Sequence, residues 1–169
     1  MAELNLGYKP RKQFIPFHMR KQRFAALVCH RRAGKTVACI NDLQDSVISN
    51  TNPMPRFAYI TPLLKQAKDI AWGHARAACA PLGKHGTEIN EAELRIDYQH
   101  NGGRLRFYGA DNPDALRGLY FDGVVHDEYA DMDPRIWTEV VRPTLSDRKG
   151  WAVFIGTPRG HNAFWAIYK

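Results

Sequence analysis

Four side chains of this sequence carry chemistry at a telling spacing. Lys35 and Thr36 follow Gly34 in the stretch Cys29-His30-Arg31-Arg32-Ala33-Gly34-Lys35-Thr36, and about 90 residues later Asp127 and Glu128 close the apolar run Gly123-Val124-Val125-His126. An ammonium and an alcohol on one loop, with two adjacent carboxylates on another, are the groups that hold and cleave a phosphoanhydride. Lys35 would reach the β- and γ-phosphates, and Thr36 would ligate Mg²⁺. Backbone N–H groups of Arg32, Ala33 and Gly34 would cradle the phosphates at the positive end of the next helix. Asp127 would hold the metal from the facing strand, and Glu128 would act as general base toward the attacking water. The phosphate-loop pattern normally begins with glycine, and Cys29 stands there instead. Taken alone, the loop also reads as a basic turn between a strand and a helix.

The flanking residues supply the scaffold such a site needs. Phe24-Ala25-Ala26-Leu27-Val28 reads as a short buried strand, and Val37, Ile40, Leu43, Val47 and Ile48 recur at helical spacing up to about Ser49. Arg56-Phe57-Ala58-Tyr59-Ile60 reads as a second buried strand. Thr61 is then expected to cap a helix with Pro62 at its first position, running to about Ala80. Strand, crossover helix and strand in this order predict a parallel sheet. Residues 94–98 and 104–108 alternate apolar and polar around Asn101-Gly102-Gly103 and predict a β-hairpin. Its Arg95, Arg104 and Arg106 can serve a partner or only a solvated edge. Trp151 to Ile155 is a further strand, closed by Gly156-Thr157-Pro158, where Thr157 is placed to sense a γ-phosphate or the three residues serve only as a strand-terminating turn.

Cations that neutralise charge growing on the γ-phosphoryl group accelerate its transfer. Arg31 and Arg32 can do so from within the loop, and Arg117, in Leu116-Arg117-Gly118, from a neighbouring subunit. Residues 1–23 have no clean periodicity, and Pro10 and Pro16 argue against one helix. They read as an arm over the domain, in which Gln13 beside Phe14 and Phe17 offers an amide for an adenine edge. In 169 residues the net charge is +7, and nine lysines and arginines precede Val37 against one acid, Glu3. Such a basic face suits a polyanion. No apolar run approaches the roughly 20 residues of a membrane span, so a soluble intracellular protein is expected. Three unclustered cysteines, Cys29, Cys39 and Cys79, give neither a disulfide framework nor a zinc site.

In combination the loop Cys29–Thr36, the stretch from Gly109 to Ala130 with Leu116-Arg117-Gly118 and His126-Asp127-Glu128, and Phe154-Ile155-Gly156-Thr157-Pro158-Arg159-Gly160 resemble the ATPase region of tailed-bacteriophage terminase large subunits. That family tolerates a non-glycine residue at the start of its phosphate loop. The resemblance implies an α/β P-loop NTPase with a mainly parallel central sheet flanked by helices, plus a β-hairpin insertion around residues 94–108. It implies one ATPase domain over 1–169, with an arm (1–23) and a core (24–169) cut off before the family's lid and nuclease domain. The implied function is Mg-dependent ATP hydrolysis driving double-stranded DNA into a procapsid. The implied setting is a ring of subunits with a portal protein and a small terminase subunit, in the host cytoplasm and away from membranes. Arg31 matches the loop arginine at the γ-phosphate, Arg117 the arginine reaching a neighbour's ATP, and Gln13, more loosely, the adenine-recognition region. Asp127 and Glu128 match Walker B, and Thr157 lies in the coupling motif. A helicase-like or remodelling ATPase, and a P-loop module that binds nucleic acid without hydrolysis, are the alternatives.

Overall fold

The computed structural model describes residues 7–169, so the first six residues of the expected arm lie outside the described residues. From Gly7 the arm runs over the domain and turns once as α1 (Ile15–His18), with Pro16 in the first turn where its missing N–H costs nothing. Phe14 packs on Ala33 and Ala38, and Phe17 enters the main core. Arg20 then fastens the arm. Its guanidinium donates to both carboxylate oxygens of Asp42 at 2.9 and 2.7 Å and lies over the Phe17 and Trp151 rings.

The chain continues through β1 (Phe24–Val28), α2 (Lys35–Ser49), β2 (Arg56–Thr61) and α3 (Leu64–Gln66). A π-helical turn (Ala67–Ala71) joins α3 to α4 (Trp72–Cys79), and α5 (Gly83–Gly86) leads to β3 (Thr87–Asn90), β4 (Arg95–Tyr98) and β5 (Gly103–Gly109). After β6 (Gly123–Asp127) come a second π-helical turn (Ile136–Val141), α6 (Arg142–Thr144), β7 (Trp151–Gly156) and α7 (Ala163–Tyr168). The strands form one sheet in the order β1-β7-β6-β2-β5-β4-β3. The first five in that order run parallel, and β4 and β3 are antiparallel. This is a mainly parallel α/β sheet with helices on both faces.

Three sequence expectations change in detail, and one strand is added. The predicted hairpin is β4 and β5, yet it is no appendage: β5 pairs with β2 along its whole length, from Arg56↔Arg104 to Thr61↔Gly109. Thr61 does not cap a helix. It ends β2, and its hydroxyl donates to Leu63 O, so the helix begins at Leu64. At one edge β3 is an unexpected strand with no period-2 signal long enough to read, and at the other β1 is half-exposed rather than buried.

Alternation sorts the two faces. Val125, Asp127 and Tyr59 face α2 and α4, whereas Val124, His126, Ala58 and Phe154 face the helical turn at 136–141. Gly123 sits where the sheet is crowded, since a β-carbon there would fall 2.4 Å from Trp151 and 2.8 Å from Phe57. Just before it, buried Asp122 fixes the base of the sheet, accepting from Asn52 Nδ2 at 2.7 Å and from the Arg56 backbone N–H at 2.8 Å. Hydrogen bonds to a charged acceptor are worth about 1.5–3 kcal/mol each. Asp122→Ala is therefore expected to lower unfolding free energy by about 3 kcal/mol in urea titrations, with an unchanged slope.

Candidate functional site

The loop after β1 is built around one backbone conformation that a side chain would resist. Gly34, at the N-cap of α2, has φ +99°, and a β-carbon there would meet the Arg11 guanidinium at 3.4 Å. Arg11 also donates to Ala33 O at 2.9 Å, with Gln13 Nε2 at the limit of the same contact, 3.5 Å. The arm thus clasps the loop from outside. Arg32 is held at φ +63°. Lys35 is buried, and its ammonium donates to the carbonyls of Cys29 and His30 at 3.2 and 3.3 Å. Cys29 N–H in turn donates to Gly156 O, tying the loop to the end of β7.

Facing this loop is the tip of β6. Asp127 is buried there, and burial pushes its carboxyl up from the usual range, an effect to which the charge of Glu128 adds; Tyr59 and Lys35 act in the other direction. Tyr59 lies one strand over on the same face, and its phenol donates to Asp127 Oδ2 at 2.5 Å. Burial drives the Tyr59 hydroxyl well above its ordinary range, so it stays protonated and remains a donor. Glu128 leaves the strand at φ +50°, ψ +47°, a left-handed backbone that costs a non-glycine residue about 1–2 kcal/mol. One of its carboxylate oxygens, Oε2, is shielded from solvent with no hydrogen-bond partner in the protein. Strain of this kind collects at working residues.

Arg31, Arg32, Gly34, Lys35, Thr36, Asp127 and Glu128 all line one cleft of about 480 Å³. Ile70 and His74, on the helix after β2, close its far wall. Cations on one side and oxygen donors on the other make the cleft complementary to a polyphosphate carried with a hard cation. The protein offers that cation one alcohol and one buried carboxylate, the sparse set Mg²⁺ takes alongside phosphate oxygens and water. Among the described residues no group of three or more His, Cys, Asp or Glu could cage a metal alone. A slightly larger hollow of about 530 Å³ lies at the β3 edge, lined by Cys79, Lys84, Thr87 and Gln99 among others, but it gathers no comparable set of groups.

Other expected site residues lie outside the cleft. Ala33 is buried beneath the loop, against Phe14. Thr157 follows β7, and its hydroxyl is buried without a protein partner. Arg117 is 65% exposed, pairs with Asp114 at 3.5 Å and is not among the residues lining the cleft. Asp131 accepts two bonds from Arg159 at 2.7 and 3.0 Å, tying the turn after Glu128 to the segment after β7. Sequence reading also passed over Tyr59 and Arg11. Tyr59 left one available sign: a hydroxyl in the middle of a buried strand must find a partner.

No protein-family model matches the chain. It is 29% identical over 180 aligned residues to the large terminase subunit of Thermus virus P23-45, covering 96% of this chain and 36% of that protein. The chain thus spans about a third of the length of the curated relatives it matches. Among solved structures, the large terminase ATPase domain of Thermus phage P74-26 superimposes with a TM-score of 0.84 at 26% identity, over 95% of this chain and 70% of that one. The HK97 bacteriophage large terminase shares the fold at 13% identity, with a TM-score of 0.69 over 93% of this chain and 33% of that one.

Proposed function

We infer that this chain, a homologue of terminase large subunits with the fold of their ATPase domains, is the ATPase of a viral DNA-packaging motor, coupling ATP hydrolysis to movement of double-stranded DNA into a procapsid. The observation that carries this reading is the convergence of Lys35, Thr36, Asp127 and Glu128, with Arg31 and Arg32, on a single cleft.

In this reading the loop N–H groups from Arg32 to Lys35 and the start of α2 bind the phosphates. The Lys35 ammonium exchanges its two loop carbonyls for β- and γ-phosphate oxygens. Thr36 and Asp127 would hold Mg²⁺, which when bound would neutralise charge on the phosphate oxygens. Glu128 orients a water in line with the γ-phosphorus and takes its proton, and the buried position of its free oxygen keeps that acceptor from bulk solvent. Arg31, with Arg32 as the alternative, steadies the γ-phosphate. Gln13 would meet the adenine edge, and Thr157 would report the γ-phosphate to the rest of the fold. The exposure of Arg117 suits a residue that completes a neighbour's site in a ring. Portal protein and a small terminase subunit would be the other partners, in the host cytoplasm. Among the described residues no helix is long and apolar enough to cross a membrane.

A fluorescent ATP analogue titrated onto the chain with Mg²⁺ tests the nucleotide reading. Lys35→Ala removes charge-assisted bonds to phosphate and is expected to weaken binding by about 10- to 100-fold. Equal binding by parent and variant would refute the assignment of the loop. The motor reading is tested separately: ATPase activity of assembled subunits is expected to rise with double-stranded DNA, and indifference to DNA would leave an ATPase without a packaging role.

A further inference from the structure

The nucleotide reading assigns no role to the shortest buried hydrogen bond in the cleft wall. Tyr59 projects from the middle of β2, where register pairs it with Val125 of β6, and its ring reaches diagonally past that partner to the carboxylate two residues on. The phenol donates to Asp127 Oδ2 at 2.5 Å. Tyr59 therefore holds the carboxylate assigned to the metal, in the cleft that Thr36 lines from the opposite loop. The ring itself cannot easily turn away. It is fully buried and packs on Phe107 with centroids 5.3 Å apart, and Trp72 meets the same Phe107 edge-on at 5.4 Å.

We propose that Tyr59 is a positioning residue for the cation: its hydroxyl holds Asp127 in one rotamer, occupying Oδ2 and leaving Oδ1 free for Mg²⁺. The chemistry is that of outer-sphere partners in metal sites. A ligating carboxylate that is itself hydrogen-bonded is ordered before the ion arrives, and removing the partner typically lowers metal affinity 10- to 100-fold. An apolar residue at this place would leave a buried carboxylate free to rotate with one oxygen unsatisfied. The inference rests on the assignment of Thr36 and Asp127 to a nucleotide-bound cation, and it adds a residue three positions into a strand that carries no phosphate motif.

Tyr59→Phe removes one oxygen atom and keeps the ring that packs on Phe107. In the chain, binding of a fluorescent ATP analogue is measured against Mg²⁺ concentration, and again in excess EDTA. The Mg²⁺ concentration for half-maximal enhancement is expected to rise 10- to 100-fold, while affinity in EDTA stays at the parental value. Asp127→Asn provides the second arm, because in that background Tyr59→Phe should shift the Mg²⁺ requirement no further. An unchanged Mg²⁺ requirement in Tyr59→Phe would overturn the proposal, as would equal shifts with and without Asp127→Asn. Loss of affinity in EDTA as well as Mg²⁺ would also overturn it, pointing to a general role in the fold. If the parent itself bound no nucleotide under either condition, the functional reading would fall with it.

Discussion

Changing Glu128 to Gln is expected to lower single-turnover ATP hydrolysis by about 10²- to 10⁴-fold, the range a positioned general base contributes, while leaving nucleotide affinity unchanged. The substitution keeps size, planarity and an oxygen acceptor, so the left-handed turn at φ +50° and the bond from Asp131 N–H to Glu128 O have no reason to alter. Only the capacity to accept a proton is lost. Single-turnover measurement, with protein in excess over radiolabelled ATP, reads the chemical step even where product release is slow. The expected pattern is full binding with almost no phosphate produced; hydrolysis at the parental rate would remove Glu128 from the reaction.

The second large effect concerns folding rather than turnover. His126 immediately precedes the two acids but faces the opposite side of the sheet, fully buried, with both ring nitrogens lacking partners. Its ring stacks on Phe154 with an interplanar angle of 3° and meets Tyr129 and Trp137 edge-on. Burial lowers its pKa from 6.5 to about 3. Between those values the unfolded chain binds a proton that the folded chain refuses, so folding weakens as pH falls below 6.5, by up to about 1.4 kcal/mol per unit, and the loss levels off near pH 3. His126→Phe abolishes this dependence. At pH 4.5 the variant should be more stable than the parent by roughly 2–3 kcal/mol beyond any difference at pH 7, read from urea midpoints at both values. Parallel pH profiles for the two proteins would show that His126 gains a proton in the folded state.

Much of the fold could be read because its signals are local. The strands that became β1, β2, β6 and β7 are short apolar runs bounded by turn residues, and α2 shows its buried face at helical spacing. What escaped depends on pairing between distant segments. Thr61 looks like a helix cap beside Pro62 until β5 is present to extend β2 as far as Thr61↔Gly109. Thr87–Asn90 becomes a strand because β4 offers it an edge, not because its own four residues insist on it. The cleft was legible as a set of residues, since Lys35, Thr36, Asp127 and Glu128 announce themselves by type and order. Its supports were not: Arg11 on Ala33, Tyr59 on Asp127 and Arg159 on Asp131 are contacts between residues 22, 68 and 28 positions apart.

The placement of β1 has a consequence for how the molecule behaves in company. Among the described residues this strand ends the sheet, paired with β7, and it is composed of Phe24, Ala25, Ala26, Leu27 and Val28 without a charge or a proline. Phe24 and Val28 are 41% and 39% exposed. An unguarded apolar edge is a template for adding another strand. The next residue is Cys29, whose N–H is anchored to β7 and whose carbonyl grips Lys35. A strand added along that rim would lay its backbone beside the residue that opens the phosphate loop.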